Sequence, residues 1–128
     1  MSETPAFHAA DWLNTDHPLS LADFRGRVLA VEVFQMLCPG CVLHGLPQAQ
    51  RIAAGFDSVD VAVIGLHAVF EHHAANSREG LVAFLHEWRI RFPVAIDAQG
   101  KGLLLSTMEA WGLQGTPSLV LFDRQGRM

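Results

Sequence analysis

Cysteine and charged residues are scarce in this chain, and long apolar runs are missing. Only two of its 128 residues are cysteines, which is too few for the disulfide framework of a small secreted domain. Charged residues make up 17% and hydrophobic residues 50%, a balance that argues against intrinsic disorder. Nine Lys and Arg residues and a net charge of −4 argue against a nucleic-acid-binding surface. No apolar run approaches the roughly 20 residues of a transmembrane helix.

The length fits a single domain over residues 1–128, with residues 1–26 as an N-terminal extension. The segment Met1–Asp11 is polar and acidic, whereas a secretory signal begins with a basic stretch and continues into an apolar core. We therefore expect a cytoplasmic protein. A chain from which a signal had been removed would look the same, and would then be periplasmic.

Strands and helices alternate after residue 26, which predicts an α/β architecture with helices on both faces of a sheet. Residues 1–26 are predicted to be irregular, with a turn or short hairpin. The predicted strands are Val28–Phe34, Val59–Leu66, Phe92–Ile96 and Ser118–Phe122. The first predicted helix is Val42–Ala54, with a kink at Pro47. The second has Asn76 as its N-cap and an apolar face formed by Leu81, Phe84, Leu85 and Trp88. The third is Leu103–Trp111, which Gly112 is predicted to end.

The segment Cys38-Pro39-Gly40-Cys41 lies directly between a buried strand and a helix. Only a thiolate attacks a disulfide, and the N-terminus of a helix lowers a cysteine pKa from about 8.5 to roughly 3.5–7.5. We therefore assign Cys38 as the attacking thiol. Cys41, one turn further along, is expected to be more buried and to resolve the mixed disulfide. Pro39 suits the first helical turn, where its missing N–H has no partner to lose.

Two other interpretations of the cysteine pair stay open at this point. A zinc site would need further ligands, and only His44 is close in sequence. The two thiols could also be an inert buried pair. A second group of candidate ligands, His67, Glu71, His72 and His73, has no regular ligand spacing, so we interpret it as a solvated loop and assign no metal site.

Four motif positions, in the right order, resemble the thioredoxin-like superfamily, in particular the TlpA-like thiol–disulfide oxidoreductases. They are the opening segment Ser20–Val28, the dithiol motif Cys38–Cys41, the loop Gly115-Thr116-Pro117 and the turn Phe122–Gly126. The resemblance implies a three-layer α/β/α fold with a mixed central sheet. Relatives usually continue past Gly126 with one more strand and a helix. We therefore expect both to be missing here, which leaves Ser118–Phe122 as an exposed edge strand and a possible contact between two copies of the chain.

The resemblance also implies roles for residues outside the dithiol. Pro117 is expected to form a cis peptide bond and to pack against the cysteines, and the Thr116 backbone to pair with bound substrate, with Pro39 and Gly40 completing the binding surface. Glu32 lies six residues before Cys38, in an apolar strand that raises a carboxyl pKa, so we predict that it relays protons for Cys41.

A possible modulator is His44, in the turn after Cys41. It is expected either to stabilise a nearby thiolate or to lie exposed on the helix without a role. A related departure from the family pattern is Leu37, which replaces the aromatic residue that commonly precedes the first cysteine. It makes the surface around the dithiol more apolar.

The predicted function is thiol–disulfide oxidoreductase, acting as a disulfide reductase with no cofactor beyond the Cys38–Cys41 pair. The expected partners are a protein or small-molecule disulfide and an upstream thiol reductant. One alternative is a peroxiredoxin-like peroxidase, although Gln35-Met36-Leu37 lacks the threonine which that chemistry requires. The other is a non-enzymatic metal carrier or interaction module that uses the same pocket.

Overall fold

The structure, a computed structural model, describes residues 6–99 and 105–128. Its centre is a mixed sheet of five strands, which are β1 (Ala9–Leu13), β2 (Val28–Phe34), β3 (Val61–His67), β4 (Val94–Asp97) and β5 (Ser118–Phe122). Their order across the sheet is β1-β4-β3-β2-β5. Strands β2, β3 and β4 are parallel, and β1 and β5 run antiparallel at the two edges. The predicted α/β class with a mixed sheet is confirmed.

Helices cover both faces of the sheet. Helices α1 (Leu46–Gly55) and α2 (Arg78–Glu87) pack on one face, and α3 (Ser106–Ala110) and a 3₁₀ turn at Leu21–Phe24 pack on the other. The predicted three layers are therefore present. Among the described residues, no helix combines the length and the apolar character that crossing a membrane requires.

Strand β2 is buried on both faces, as its nearly continuous apolar sequence predicts. Leu29, Val31 and Val33 belong to the core under α3, because alternate side chains of a strand point to opposite faces. Glu32 points to the other face, which α1 covers. The predicted edge position of Ser118–Phe122 is also observed, since β5 pairs within the described residues only with β2.

The prediction of irregular structure over residues 1–26 is wrong for Ala9–Leu13. This segment is strand β1, which pairs with β4, so that Leu13 lies opposite Val94. A bulge between Ala9 and Asp11 disrupts the period-2 alternation of apolar residues, and the pairing partner lies about 80 residues away. A local sequence pattern carries little information about such a strand.

Helix α2 begins one residue later than predicted. Ser77, and not Asn76, is its N-cap, because the Ser77 hydroxyl accepts the N–H of Gly80 at 3.1 Å. Asn76 is buried and donates to the Glu71 carbonyl instead. The predicted apolar face is partly wrong as well, since Trp88 is the C-cap and 54% exposed.

Other element boundaries differ by a few residues. Strand β3 begins at Val61, because the N–H of Asp60 turns back to the carbonyl of Asp57. Strand β4 covers Val94–Asp97 where Phe92–Ile96 was predicted.

The start of α3 is fixed by the Asp97 carboxylate, which accepts hydrogen bonds from the backbone N–H groups of Thr107 and Met108. Helix α3 ends at Ala110 with Trp111 as its C-cap, and the next residue is Gly112, with φ +70°, which was predicted to end it. Residues 103 and 104 of the predicted helix lie outside the described part.

Candidate active site

The two cysteines follow the carboxyl end of β2 and are joined by a disulfide with a Cα–Cα distance of 5.2 Å. Cys38 is half-buried, whereas Cys41 is fully buried in the core beneath α1 and α2. A disulfide partner in solution can therefore reach only the Cys38 sulfur. This difference in exposure is the one predicted for an attacking and a resolving cysteine.

The Cys38 sulfur lies among polar groups of two segments. The backbone N–H of Cys41 donates to Cys38 Sγ at 3.2 Å, and the Thr116 hydroxyl donates to it at 3.7 Å. The Thr116 carbonyl oxygen is also 3.7 Å from this sulfur. Backbone N–H groups at the start of a helix stabilise negative charge, so the Cys41 N–H can stabilise a Cys38 thiolate after reduction.

The loop that carries Thr116 and Pro117 packs closely against the dithiol turn. Its Thr116–Pro117 peptide bond is cis. An added Cβ at Gly40 would lie 3.2 Å from Pro117 Cδ, so the proline ring approaches the backbone of the dithiol motif directly. The structure thus brings Gly40, Thr116 and Pro117 together around Cys38. Pro39 is exposed at the rim of the same site.

Glu32 lies under this turn and is 1% exposed. Neither of its carboxylate oxygens has a hydrogen-bond partner among the described residues. Burial raises the pKa of Glu32 from 4.5 to about 7, because the ionised form loses its hydration without gaining a partner. A carboxyl group with such a pKa accepts and releases a proton near neutral pH.

The prediction of one α-helix from Val42 to Ala54 with a kink at Pro47 is partly wrong. Residues Cys41–Gly45 form a π-helical turn, and α1 starts at Leu46 with Pro47 in its first turn. Pro47 therefore occupies a position where its missing N–H costs little, and the irregularity lies before it. The π turn widens the helix directly above Glu32.

Gly45 is a site residue that the sequence patterns did not identify. A Cβ at this position would overlap Oε1 of Glu32 and lie 3.0 Å from Pro117 Cβ. Gly45 is thus the point where the helix backbone, the buried carboxyl and the cis-proline loop converge. A glycine within an otherwise helical pattern was the available signal, because glycine destabilises a helix interior and permits the close approach of another segment.

Gly45→Ala is expected to lower the free energy of unfolding by about 1–3 kcal/mol, because the added methyl group overlaps the Glu32 carboxyl and Pro117. Urea denaturation of the oxidised protein measures this loss. Gly55→Ala is the matched control, since a Cβ at that helical position meets nothing within 4 Å. Equal stability of the two variants would contradict the proposed close packing at Gly45.

Two histidine predictions have different outcomes. His44 is exposed on the π turn, and its imidazole forms no hydrogen bond with another described residue. The interpretation of His67 as part of a solvated loop is wrong. His67 is the last residue of β3 and is 1% exposed, and burial lowers its pKa from 6.5 to about 4. The polar residues that follow His67 in the sequence suggest a loop, whereas in the fold its ring packs against the buried Phe34 of β2, with 5.2 Å between the ring centroids.

The remaining candidate ligands, Glu71, His72 and His73, are exposed. Across residues 6–99 and 105–128, no three His, Cys, Asp or Glu side chains are grouped so that they could hold a metal ion. In this part of the chain the cysteine pair and His44 are not joined by the further ligands that the zinc interpretation requires.

Comparisons with known proteins agree with this geometry. No family model matches the chain. The chain is 27% identical over 119 residues to NHL repeat-containing protein 2 of Gallus gallus, and 26% identical over 123 residues to the protein of that name from Bos taurus. It spans only about 15% of the length of the first protein and 16% of the second.

Two solved structures are much more similar. A thioredoxin-like superfamily protein shares 52% identity with a TM-score of 0.93, and the alignment covers 97% of this chain and 80% of that one. A thiol-disulfide isomerase from Corynebacterium glutamicum shares 50% identity with a TM-score of 0.90, over 97% of this chain and 82% of that one. At this identity and coverage, together with the dithiol turn and the cis-proline loop, the chain belongs to the thioredoxin-like superfamily.

Proposed function

We propose that this chain is a thiol–disulfide oxidoreductase. One observation carries the proposal: a disulfide joins a reachable sulfur, Cys38, to a fully buried sulfur, Cys41, at the start of a helix. Similarity to a thiol-disulfide isomerase at 50% identity supports the same activity.

In the reducing direction, the Cys38 thiolate attacks one sulfur of a substrate disulfide. The substrate S–S bond breaks, one substrate thiolate leaves, and a mixed disulfide with Cys38 forms. Cys41 then loses its proton and attacks Cys38 Sγ, which releases the second substrate thiol and closes the Cys38–Cys41 disulfide. Two electrons pass from the dithiol to the substrate.

Glu32 is the group that we assign to the Cys41 proton. Its carboxyl lies on the same face of β2 as the buried cysteine and contacts the turn that begins at Cys41. Because the neutral and ionised forms of Glu32 are close in free energy near pH 7, the carboxylate can take the proton as Cys41 attacks and return it during the reverse reaction.

Our proposal of a reductase direction is supported by the small number of groups that can stabilise a Cys38 thiolate. One backbone N–H and one hydroxyl donate to its sulfur, and an ionised Glu32 below the site repels negative charge. Thiol–disulfide oxidoreductases that are strong oxidants have a strongly stabilised reduced dithiol. We therefore propose a low potential and an upstream thiol as reductant. We also propose a position among the TlpA-like proteins, which the four motif positions of the sequence support.

The proposed substrate is a disulfide in an extended polypeptide. Thr116 precedes the cis proline beside Cys38 and offers backbone groups to a bound strand. Leu37, directly before Cys38, is 54% exposed and presents apolar surface next to the reactive sulfur. These contacts favour a protein disulfide over a small hydrophilic one.

Equilibration in glutathione buffers, followed by counting of free thiols, tests the function. We expect a reversible two-electron transition nearer to about −270 mV than to −120 mV. The same titration of His44→Ala tests the proposed modulator, which requires a changed potential. Thiols that stay free across the whole range would overturn the oxidoreductase proposal, and a potential near the oxidising limit would overturn the reductase direction.

A further inference from the structure

A pocket of about 810 Å³ lies at the end of the sheet opposite the dithiol. It is formed where β1 ends and α2 ends, next to the start of β4. Strands β2, β3 and β4 are parallel, and Cys38 follows the carboxyl end of β2. The start of β4 therefore lies at the opposite end of the sheet from Cys38. We propose that this distal pocket binds a small organic anion with an apolar tail, such as a medium-chain carboxylate. Its volume lies within the usual range for small-molecule sites.

The floor of the distal pocket is apolar. Leu13, Leu85 and Ile90 line it and are otherwise buried, with exposed fractions of 8%, 3% and 4%. Val82, which is 45% exposed, extends the apolar wall towards solvent. A short hydrocarbon tail laid on this floor would remove these side chains from water, which is favourable in proportion to the apolar area covered.

The rim of the distal pocket is basic, although the whole chain carries a net charge of −4. Arg89 and Arg91 are both exposed and flank the buried Ile90. Neither arginine forms an ion pair with a carboxylate in the part of the chain that the structure describes. Glu87 is the single acidic residue of the lining. Two guanidinium groups beside an apolar floor fit a carboxylate head followed by an apolar tail.

The backbone around the distal pocket holds two residues in an unusual conformation. Arg89 has φ +57° directly after the C-cap of α2, where glycine is the common residue, and Asn14 has φ +62°. The Asn14 amide donates to the carbonyls of Ile90 and Phe92 at 2.9 and 3.1 Å. The end of β1 is thereby clamped to the segment that carries both arginines. An arginine in a conformation that favours glycine carries a backbone cost, and strain of this kind clusters at functional sites.

Titration of the oxidised protein with sodium octanoate, followed by amide chemical shifts in NMR, tests this proposal. We expect saturable shifts confined to residues 13–14 and 82–91. The variant Arg89→Gly with Arg91→Gln should lower the affinity about tenfold or more. Glycine suits the conformation of residue 89, so this variant should melt no lower than the parent. Arg51→Gln, on the exposed face of α1, is the matched control and should bind like the parent.

Three results would overturn the proposal. Equal affinity of the double variant would show that the arginines do not hold the anion. Equal affinity for 1-octanol would show that only apolar contact matters. Binding of a glutamate-rich peptide through the same arginines, without binding of octanoate, would assign the pocket to an acidic protein segment instead. None of these results depends on the dithiol, so the proposed oxidoreductase activity is tested separately.

Discussion

Cys41→Ser is expected to accumulate a stable mixed disulfide between Cys38 and a substrate protein. The buried thiol that would attack Cys38 Sγ is then missing, while the reachable sulfur is unchanged. Turnover in a disulfide-reduction assay should fall about 1000-fold or more, in the range seen when a nucleophile is lost. Non-reducing electrophoresis and mass spectrometry of the trapped adduct measure the expected product.

Cys38→Ser is the matched control, because it removes the reachable sulfur and keeps the buried one. It should form no adduct and show the same loss of turnover. Adduct formation through Cys41 in this variant would contradict the assigned roles, since Cys41 is fully buried. A trapped adduct also identifies the natural substrate, which would decide between a protein disulfide and a small one.

Glu32→Gln is expected to stabilise the folded protein at pH 8 and to have little effect on stability at pH 4. The Glu32 carboxyl has a pKa of about 7 in the fold and 4.5 when unfolded. The carboxyl is neutral in both states below pH 4.5, and the fold loses stability as the pH rises from 4.5 through 7. The full loss is about 3 kcal/mol, since one pKa unit corresponds to about 1.36 kcal/mol. The amide does not ionise, so Glu32→Gln escapes this loss.

The same substitution should slow disulfide exchange about 100-fold, because the amide cannot accept the Cys41 proton. Urea denaturation between pH 4 and pH 8 measures the stability effect, and stopped-flow reduction of a disulfide peptide measures the rate. Glu71→Gln, at an exposed position, controls for the loss of a carboxylate and should change neither quantity. A variant that is stabilised but exchanges at the parental rate would leave Glu32 buried without a role as proton relay.

Local sequence was sufficient for the dithiol, its place between strand and helix, and the central strands. The reason is that these features depend on short-range physics. A continuous β-branched apolar run predicts a strand buried on both faces, and β2 matches its predicted bounds. Cys38 and Cys41 are close in sequence, so one helical turn decides which of them is reachable. Gly112 was predicted to end α3 because glycine adopts a positive φ without steric cost, and the φ of this residue is +70°.

Tertiary structure decided the features whose partners are distant in sequence. Strand β1 exists through pairing with β4, and His67 is buried because the rest of the fold covers the end of β3. The position of Gly45 against Glu32 and Pro117 joins three segments that span more than 80 residues. The distal pocket likewise needs Asn14 to reach the carbonyls of Ile90 and Phe92. Periodicity and spacing describe what one segment prefers, whereas these contacts arise only when segments meet in the folded chain.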